Sequence, residues 1–385
     1  ALEVYEVGKG WQESDADVAE AIDYLRYYAS EMLRLSAKRV TVQLAGETNE
    51  YIYRGRGVGV IIAPWNFPLA ILTGMSSAAI AAGNTVILKP AEQSPVVAAH
   101  LMQIYEEAGL PPGVANLLPG PGQPLGEHLV KHPDVSFIAF TGSREVGLKI
   151  NRLAAEHPAR NGVKRVVAEM GGKNAIIIDE SADLDDAVLG VTTSAFGYQG
   201  QKCSAASMAI VIESVYDVFL PRLIEAARSL RVGPAEDPGA QVGPVIDEEA
   251  LQKILRYVAL GKQQARLALE TDISHLRDGY YVGPTIFAEV APGSPLAQEE
   301  IFGPVLSILR ARDFAEALEI ANSTPFGLTG GLYSRTPKNV ELARRKFLVG
   351  NLYINRKITG AIVRRQPFGG FKMSGGGSTA GGPGY

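Results

Sequence analysis

From Val58 onward, short apolar runs alternate with segments of helical period, and that rhythm leaves few folds open to the chain. The runs Val58–Ala63, Thr85–Leu88, Val114–Leu118 and Val135–Phe140 are rich in β-branched residues and carry almost no polar side chain. Strands of that kind are covered on both faces, as in a parallel sheet with helices on each side. The spacing predicts helices over Leu69–Ala82 and from Pro95 to Gly109, with Ser94 as N-cap and Gly109 as the stop. A second series opens near Lys173, with strands predicted over Asn174–Ile178, Met208–Ile212, Pro304–Ile308 and Thr329–Tyr333. Its helices are expected over Val215–Leu230, Glu248–Gln264, Phe314–Asn322 and Lys338–Phe347, and Val232–Pro244 reads as a surface loop. The chain is thus an α/β protein, doubly wound, and its 385 residues suit two or three domains.

Ahead of this alternation, Ser14–Leu35 reads as a helix with Ser14 as N-cap. Val18, Ile22, Leu25, Ala29 and Met32 form its expected apolar stripe. Arg39–Leu44 and Tyr51–Arg54 alternate around Gly46–Glu50, the pattern of a hairpin with an exposed arm that pairs with another subunit. The net charge of -4 supplies no basic field for nucleic acid or an anionic membrane. No apolar run approaches the roughly 20 residues that cross a bilayer. One cysteine forms no internal disulfide, so nothing points to secretion. Residue 1 is not Met and the tail from Gly375 is glycine-rich, so we read the chain as part of a longer protein.

Three fragments hold the parts for oxidising an aldehyde through a thioester. They are Pro64-Trp65-Asn66-Phe67-Pro68, Glu169-Met170-Gly171-Gly172-Lys173 and Gly200-Gln201-Lys202-Cys203-Ser204. The amide of Asn66, stiffened by flanking prolines, can hold an oxyanion; the Cys203 thiol can attack; the Glu169 carboxylate can activate water. Lys202 makes the Cys203 loop cation-flanked, which favours a thiolate. Each residue also has a plainer reading: Asn66 in a turn, Cys203 as a small buried hydrophobe, Glu169 as a cap. For a hydride acceptor, the turn Thr141-Gly142-Ser143 joins a strand to a helix N-terminus, where free N–H groups face a phosphate. Lys89 and Glu92 follow a strand, where they can bond ribose hydroxyls or simply form a solvated pair. A glutamate on that ribose favours NAD over NADP. Glu300 and Phe302 precede a strand and can hold a nicotinamide and its ribose, or pack as an ordinary strand start. His128 and His132 are spaced like helical metal ligands, but no third ligand is near in sequence, so no metal is expected.

The order of these runs, with Lys89-Pro-Ala-Glu92, Phe140–Ser143, Glu300–Pro304 and Pro367–Gly370, resembles the aldehyde dehydrogenase superfamily from about residue 60 to 375. Trp11–Ala29, Arg356–Val363 and Arg365–Ser374 are similar to its 1-pyrroline-5-carboxylate dehydrogenase branch. The resemblance implies Cys203 as nucleophile, Glu169 as deacylation base and Asn66 as oxyanion donor. It implies NAD contacts at Trp65, Lys89, Glu92, Gly142, Ser143, Glu300 and Phe302. Ser204 with Gly360-Ala361 would bind a substrate carboxylate, and Phe67 and Phe368 its aliphatic part. The implied domains are a Rossmann-type NAD domain (1–36 and 57–171, its front missing), an oligomerisation hairpin (37–56), a catalytic domain (172–372) and a truncated return segment (373–385). The implied reaction is NAD-dependent oxidation of glutamate semialdehyde to glutamate in a homo-oligomer of the bacterial cytoplasm or mitochondrial matrix. Two other readings stay open: a dehydrogenase for another semialdehyde, and an inactive module of a larger proline-utilisation protein.

Overall fold

The structure, a computed structural model, describes residues 1–37, 39–40, 42–276 and 278–385. The chain forms two compact units: Asp15–Ala168 with Ile362–Phe368 and Gly377–Tyr385, and Ala1–Ser14 with Glu169–Ala361 and Gly369–Gly376. The short helix α1 (Leu2–Val7) ends at left-handed Gly8, and α2 runs over Trp11–Ser36. The division falls inside α2, at Ser14 rather than near residue 36. The N-terminal residues belong with 169–361 because Val7 and Gly8 carbonyls accept hydrogen bonds from Tyr198 and Gln199.

The helix also begins earlier than its expected Ser14 cap. The Ser14 N–H bonds the Gly10 carbonyl at 2.9 Å, and its hydroxyl donates to the Lys9 carbonyl at 3.1 Å. Ser14 is therefore an interior helix residue. The expected apolar stripe does not face the core either: Val18, Ile22 and Leu25 are 44, 43 and 36% exposed. The buried face is Asp17, Ala21, Tyr24 and Tyr28. Two effects turn the helix. The stacked rings of Tyr24 and Tyr28 bury more surface than the aliphatics would, and Asp17 accepts the Leu69 N–H at 3.3 Å.

Strands β1 (Arg39–Val40) and β2 (Glu50–Tyr51) pair antiparallel, a shorter hairpin than expected. Residues 38 and 41 of the 37–56 arm lie outside the described residues. Val42, Leu44, Tyr51, Ile52 and Tyr53 are exposed on it.

The first unit then follows the predicted alternation: β3 (Val58–Ile62), α3 (Ala70–Ala81), β4 (Thr85–Lys89), α4 (Pro95–Glu107), β5 (Ala115–Leu117), α5 (Glu127–Lys131), β6 (Val135–Thr141), α6 (Arg144–Glu156) and β7 (Arg165–Glu169). Ser94 stands at the N-cap of α4 but makes no capping bond through its hydroxyl. The sheet order runs β7-β6-β3-β4-β5, with β6, β3, β4 and β5 mutually parallel. The chain steps from β3 outward to β5, then returns to lay β6 on the other side of β3. That reversal is a topological switch point.

The second unit holds β8 (Asn174–Ile178), α7 (Leu184–Phe196), β9 (Ala206–Ile212), α8 (Glu213–Arg228), α9 (Glu248–Gln264), β10 (Arg266–Glu270), β11 (Thr285–Ala288), α10 (Pro295–Gln298), β12 (Val305–Ala311), α11 (Phe314–Asn322), β13 (Phe326–Gly327), β14 (Thr329–Tyr333), α12 (Pro337–Lys346) and β15 (Asn351–Ile354). Its sheet order is β10-β11-β12-β9-β8-β14-β15, parallel except for the antiparallel edge pair β10·β11. Alternation sends Ala175 and Ile177 to a core shared with α9 and α11, and Ile176 and Ile178 to one shared with α7 and α8. This double coverage is why β8 reads as an unbroken apolar run. Strands β10, β11 and β15 were not expected; each has only four or five residues, and β10 is an exposed edge. The Val232–Pro244 loop is partly internal, since Val232 bridges Val242 and both are buried.

The orientation of α2 is testable by urea unfolding. Ile22→Glu is expected to change stability by less than about 0.5 kcal/mol, as an exposed substitution does. Tyr24→Ala should cost about 3–5 kcal/mol, as loss of a buried aromatic does. The reverse order would restore the stripe as the core face.

Candidate active site

In the second unit, the expected catalytic and nicotinamide residues gather at one edge. Glu169–Lys173 leads into β8, Cys203–Ala205 into β9 and Glu300–Phe302 toward β12, while Thr329 opens β14; these strands are parallel. The site thus lies at the amino ends of the strands. Asn174, 2% exposed, binds the pieces together. Its Nδ2 donates to the carbonyls of Cys203 (2.6 Å) and Ala205 (2.9 Å), and its Oδ1 accepts the Thr329 N–H at 3.0 Å. The Thr329 hydroxyl completes the tie by donating to the Ser204 carbonyl at 3.1 Å.

Cys203 is half-buried, while Gln201, Lys202, Ser204 and Ala205 around it are buried. Cys203 is therefore the most accessible residue of that run. Gly172 is required beside it: a Cβ there would stand 2.6 Å from the Cys203 carbonyl oxygen. The Gly172 N–H donates to Glu300 Oε1 at 2.8 Å, so the Glu300 carboxylate lies on the Gly171-Gly172 backbone. Phe302 is half-buried and holds φ 62, left-handed backbone that a phenylalanine rarely adopts.

Glu169 is 8% exposed, and its Oε2 has no hydrogen-bond partner. Burial pushes its carboxyl up to about 8. Lys173, on the same turn, is 3% exposed with an unpartnered Nζ, and burial pulls it down to about 7 against the attraction of Glu300 and Glu299. Perturbed groups of both kinds on one turn are the mark of a functional site. Lys202 does not act as the free cation expected beside the thiol. Its Nζ meets both Glu13 oxygens at 2.7 Å, so its charge is already paired.

Gly360, at φ 78, and Ala361 lie on the loop after β15, with Gly360 exposed and Ala361 half-buried. That loop is fixed by the Ile358 N–H, which donates to Ser194 Oγ of α7 at 3.1 Å. Sequence reasoning passed over Asn174, Glu13, Lys173 and Tyr353. Tyr353 has a buried hydroxyl without a partner and is close enough to Cys203 for a charge there to raise its pKa, after burial and against Arg356. Nothing in the strand pattern marks Tyr353. Lys173 could have been found as a lysine entering a wholly apolar strand.

In the first unit, the other expected residues follow the carboxyl ends of β3, β4 and β6, around the switch point. Asn66 is 4% exposed between half-buried Trp65 and Phe67. Lys89 is buried, with Nζ donating to the Pro90 carbonyl at 3.1 Å; burial lowers its pKa and Glu92 opposes the shift. Glu92 is exposed and accepts the Gly122 N–H at 2.5 Å. Ser143 caps α6, its Oγ accepting the Val146 N–H at 3.3 Å, and a Cβ on Gly142 would lie 2.6 Å from the Phe140 ring. Phe368 is half-buried and bridges Ala380. A switch-point crevice with a helix N-terminus, a cation and a carboxylate at its rim fits a dinucleotide. Among the described residues no group of three His, Cys, Asp or Glu side chains could hold a metal ion.

The aldehyde dehydrogenase family model matches residues 1–385. The chain belongs to the aldehyde dehydrogenase family. Within that family it is 52% identical over 388 residues to a 1-pyrroline-5-carboxylate dehydrogenase of Geobacillus sp. strain WCH70, covering all of this chain and 75% of that protein. A protein of the same name from Bacillus subtilis strain 168 is 51% identical, with 99% of this chain and 74% of that one covered. Among solved structures, 1-pyrroline-5-carboxylate dehydrogenase from Thermus with bound NAD superposes with a TM-score of 0.96 at 53% identity, covering 99% of this chain and 74% of that one. Proline utilization A from Bdellovibrio bacteriovorus gives 0.98 at 53% identity, with 99% of this chain and 40% of that one covered.

The buried carboxyl of Glu169 makes a stability prediction. An acid whose folded pKa is raised binds its proton more tightly folded than unfolded, so it costs stability as pH rises from its ordinary 4.5 to about 8. Glu169→Gln should therefore gain stability over the wild type across that interval and gain no more above it, read by urea titration at a series of pH values. Parallel wild-type and variant curves would mean that Glu169 titrates normally.

Proposed function

We propose that this chain carries out NAD-dependent oxidation of glutamate 5-semialdehyde, formed by hydrolysis of 1-pyrroline-5-carboxylate, to glutamate. The observation that carries the reading is a partly exposed cysteine just before β9 and a buried, proton-holding carboxyl on the segment that leads into the adjacent β8, in a chain half identical throughout to dehydrogenases of that name.

The Cys203 thiolate attacks the aldehyde carbon, forming a C–S bond while the carbonyl pair moves onto oxygen. The Asn66 side-chain amide and the Cys203 N–H hold that oxyanion. Collapse of the oxyanion re-forms the C=O and breaks the C–H bond, leaving a Cys203 thioester; NAD, when bound, would accept the hydride, and Trp65, Lys89, Glu92, Gly142, Ser143, Glu300 and Phe302 would hold it. Glu169 then takes a proton from water, which attacks the thioester carbon; the C–S bond breaks and the thiolate is restored. Ser204 and the Gly360-Ala361 backbone grip the substrate's carboxylate without a buried cation, and Phe67 and Phe368 line its aliphatic part.

The exposed apolar side chains of the 37–56 hairpin support its use as a contact between copies in a homo-oligomer. No helix among the described residues is long and apolar enough to cross a membrane. A cytoplasmic place in a bacterial cell fits relatives such as those of Geobacillus and Bacillus.

The deciding experiment follows NADH formation spectrophotometrically from 1-pyrroline-5-carboxylate, against semialdehydes that lack the α-amino acid end. Preference for the latter would move the chain to another semialdehyde. Asn66→Ala should lower turnover by roughly 10²–10³, the usual loss of an oxyanion donor; unchanged turnover removes Asn66 from that role. Thioester hydrolysis should accelerate as pH rises toward about 8, where Glu169 loses its proton. A flat single-turnover profile between pH 6 and 9 would take the base role from Glu169.

A further inference from the structure

We infer that Glu13 is a positioning residue for the thiol: its ion pair with Lys202 anchors the Tyr198–Cys203 loop and balances the buried cation carried by the residue before Cys203. The inference rests on the reading of Cys203 as the reacting group.

The loop is strained where it leaves α7. Tyr198, Gln199 and Gly200 hold φ 48, 55 and 68 in succession, and such backbone persists only where its surroundings over-determine it. Here the restraints come from the side chains. The Tyr198 hydroxyl donates to the Val7 carbonyl at 3.0 Å. Gln199 Nε2 donates to the carbonyls of Gly8 (3.1 Å) and Pro244 (2.7 Å), and Gln201 Oε1 accepts the Ile246 N–H at 3.0 Å. Lys202 closes the series with its two 2.7 Å contacts to Glu13.

That last tie differs from the rest because it is charged and adjoins Cys203. The Lys202 side chain is 6% exposed and that of Glu13 33%. Burial lowers the Lys202 pKa, and Glu13 resists that shift. Lys9 and Lys357 also face the pair, both repelling Lys202, and Tyr353 of β15 faces the sulfur. Glu13 is thus the carboxylate that offsets a locally positive cluster. Lys202 adjoins Cys203 in the chain, so unbalancing its charge is expected to bias the thiol–thiolate equilibrium.

The test is the pH dependence of iodoacetamide alkylation. Cys203 is the one cysteine among the 385 residues, so the mass increase reports it alone. Glu13→Gln leaves the cation unbalanced and should shift the alkylation midpoint down by about one unit, a tenfold change in thiolate fraction at fixed pH. Lys202→Met leaves the carboxylate and should shift the midpoint up. The double variant should return toward the wild type, a non-additivity that independent structural damage would not produce. Glu13→Asp, which keeps the charge, should stay near the wild type. Glu13 also lines a cavity of about 420 Å³ with Trp11, Thr192 and Gln199, so formate added to Glu13→Ala should restore the midpoint. Should Glu13→Gln fail to fold, Lys202→Met carries the same sign test. Midpoints that stay at the wild-type value, or move the same way in both single variants, overturn the inference. Loss of NADH formation on alkylation tests the reading of Cys203 separately.

Discussion

The unit that carries Cys203 depends on the side-chain amide of Asn174. It spends three hydrogen-bonding groups on backbone, joining the stretch before β9 to the start of β14 while standing at the first residue of β8. Backbone carbonyls at strand starts are otherwise without ladder partners, and burying them unpaired is costly. By meeting that need, Asn174 fixes the level at which Cys203 emerges from the sheet. Gly172 follows from the same constraint, since nothing larger fits between the preceding turn and the Cys203 carbonyl. Packing and amide geometry therefore hold the Cys203 backbone from the β8 and β14 side, and the Glu13–Lys202 pair ties the same loop from the α2 side.

Burial raises the Glu169 carboxyl to about 8 and lowers Lys173 to about 7, with Glu169 Oε2 and Lys173 Nζ buried without hydrogen-bond partners. Lys202 takes the opposite course and keeps its charge by pairing with Glu13. Neighbouring positions on two loops thus follow different electrostatic rules, and the difference lies in whether a carboxylate can reach them.

The strands and helices of both units were legible wherever a run was long and covered on both faces. Asn174–Ile178, Thr329–Tyr333, Glu248–Gln264 and Phe314–Asn322 have the same bounds in sequence and structure. Strand β10 is an exposed edge without an apolar run, and β11 and β15, at four residues each, are too short for period alone to reveal them. The face of α2 was misjudged because hydropathy ranks Val, Ile and Leu above Tyr. Contact area and the Asp17–Leu69 bond decided otherwise. At the site, ordered motifs pointed to Cys203, Glu169 and Asn66 as residues. They were silent on Glu13, whose meeting with Lys202 spans 189 positions, and on the pairing that occupies the Lys202 charge.

The two units use opposite edges of their parallel sheets. In one, helices begin beside the expected cofactor residues, and α6 opens there with Ser143. In the other, α7 ends where the Cys203 loop starts. The positive end of the α6 macrodipole thus stands at the Thr141-Gly142-Ser143 turn, and the negative end of the α7 macrodipole at the start of the segment leading to Cys203. A backbone dipole can assist an anion at the turn before α6, whereas the segment that carries Cys203 starts at the opposite pole of its helix.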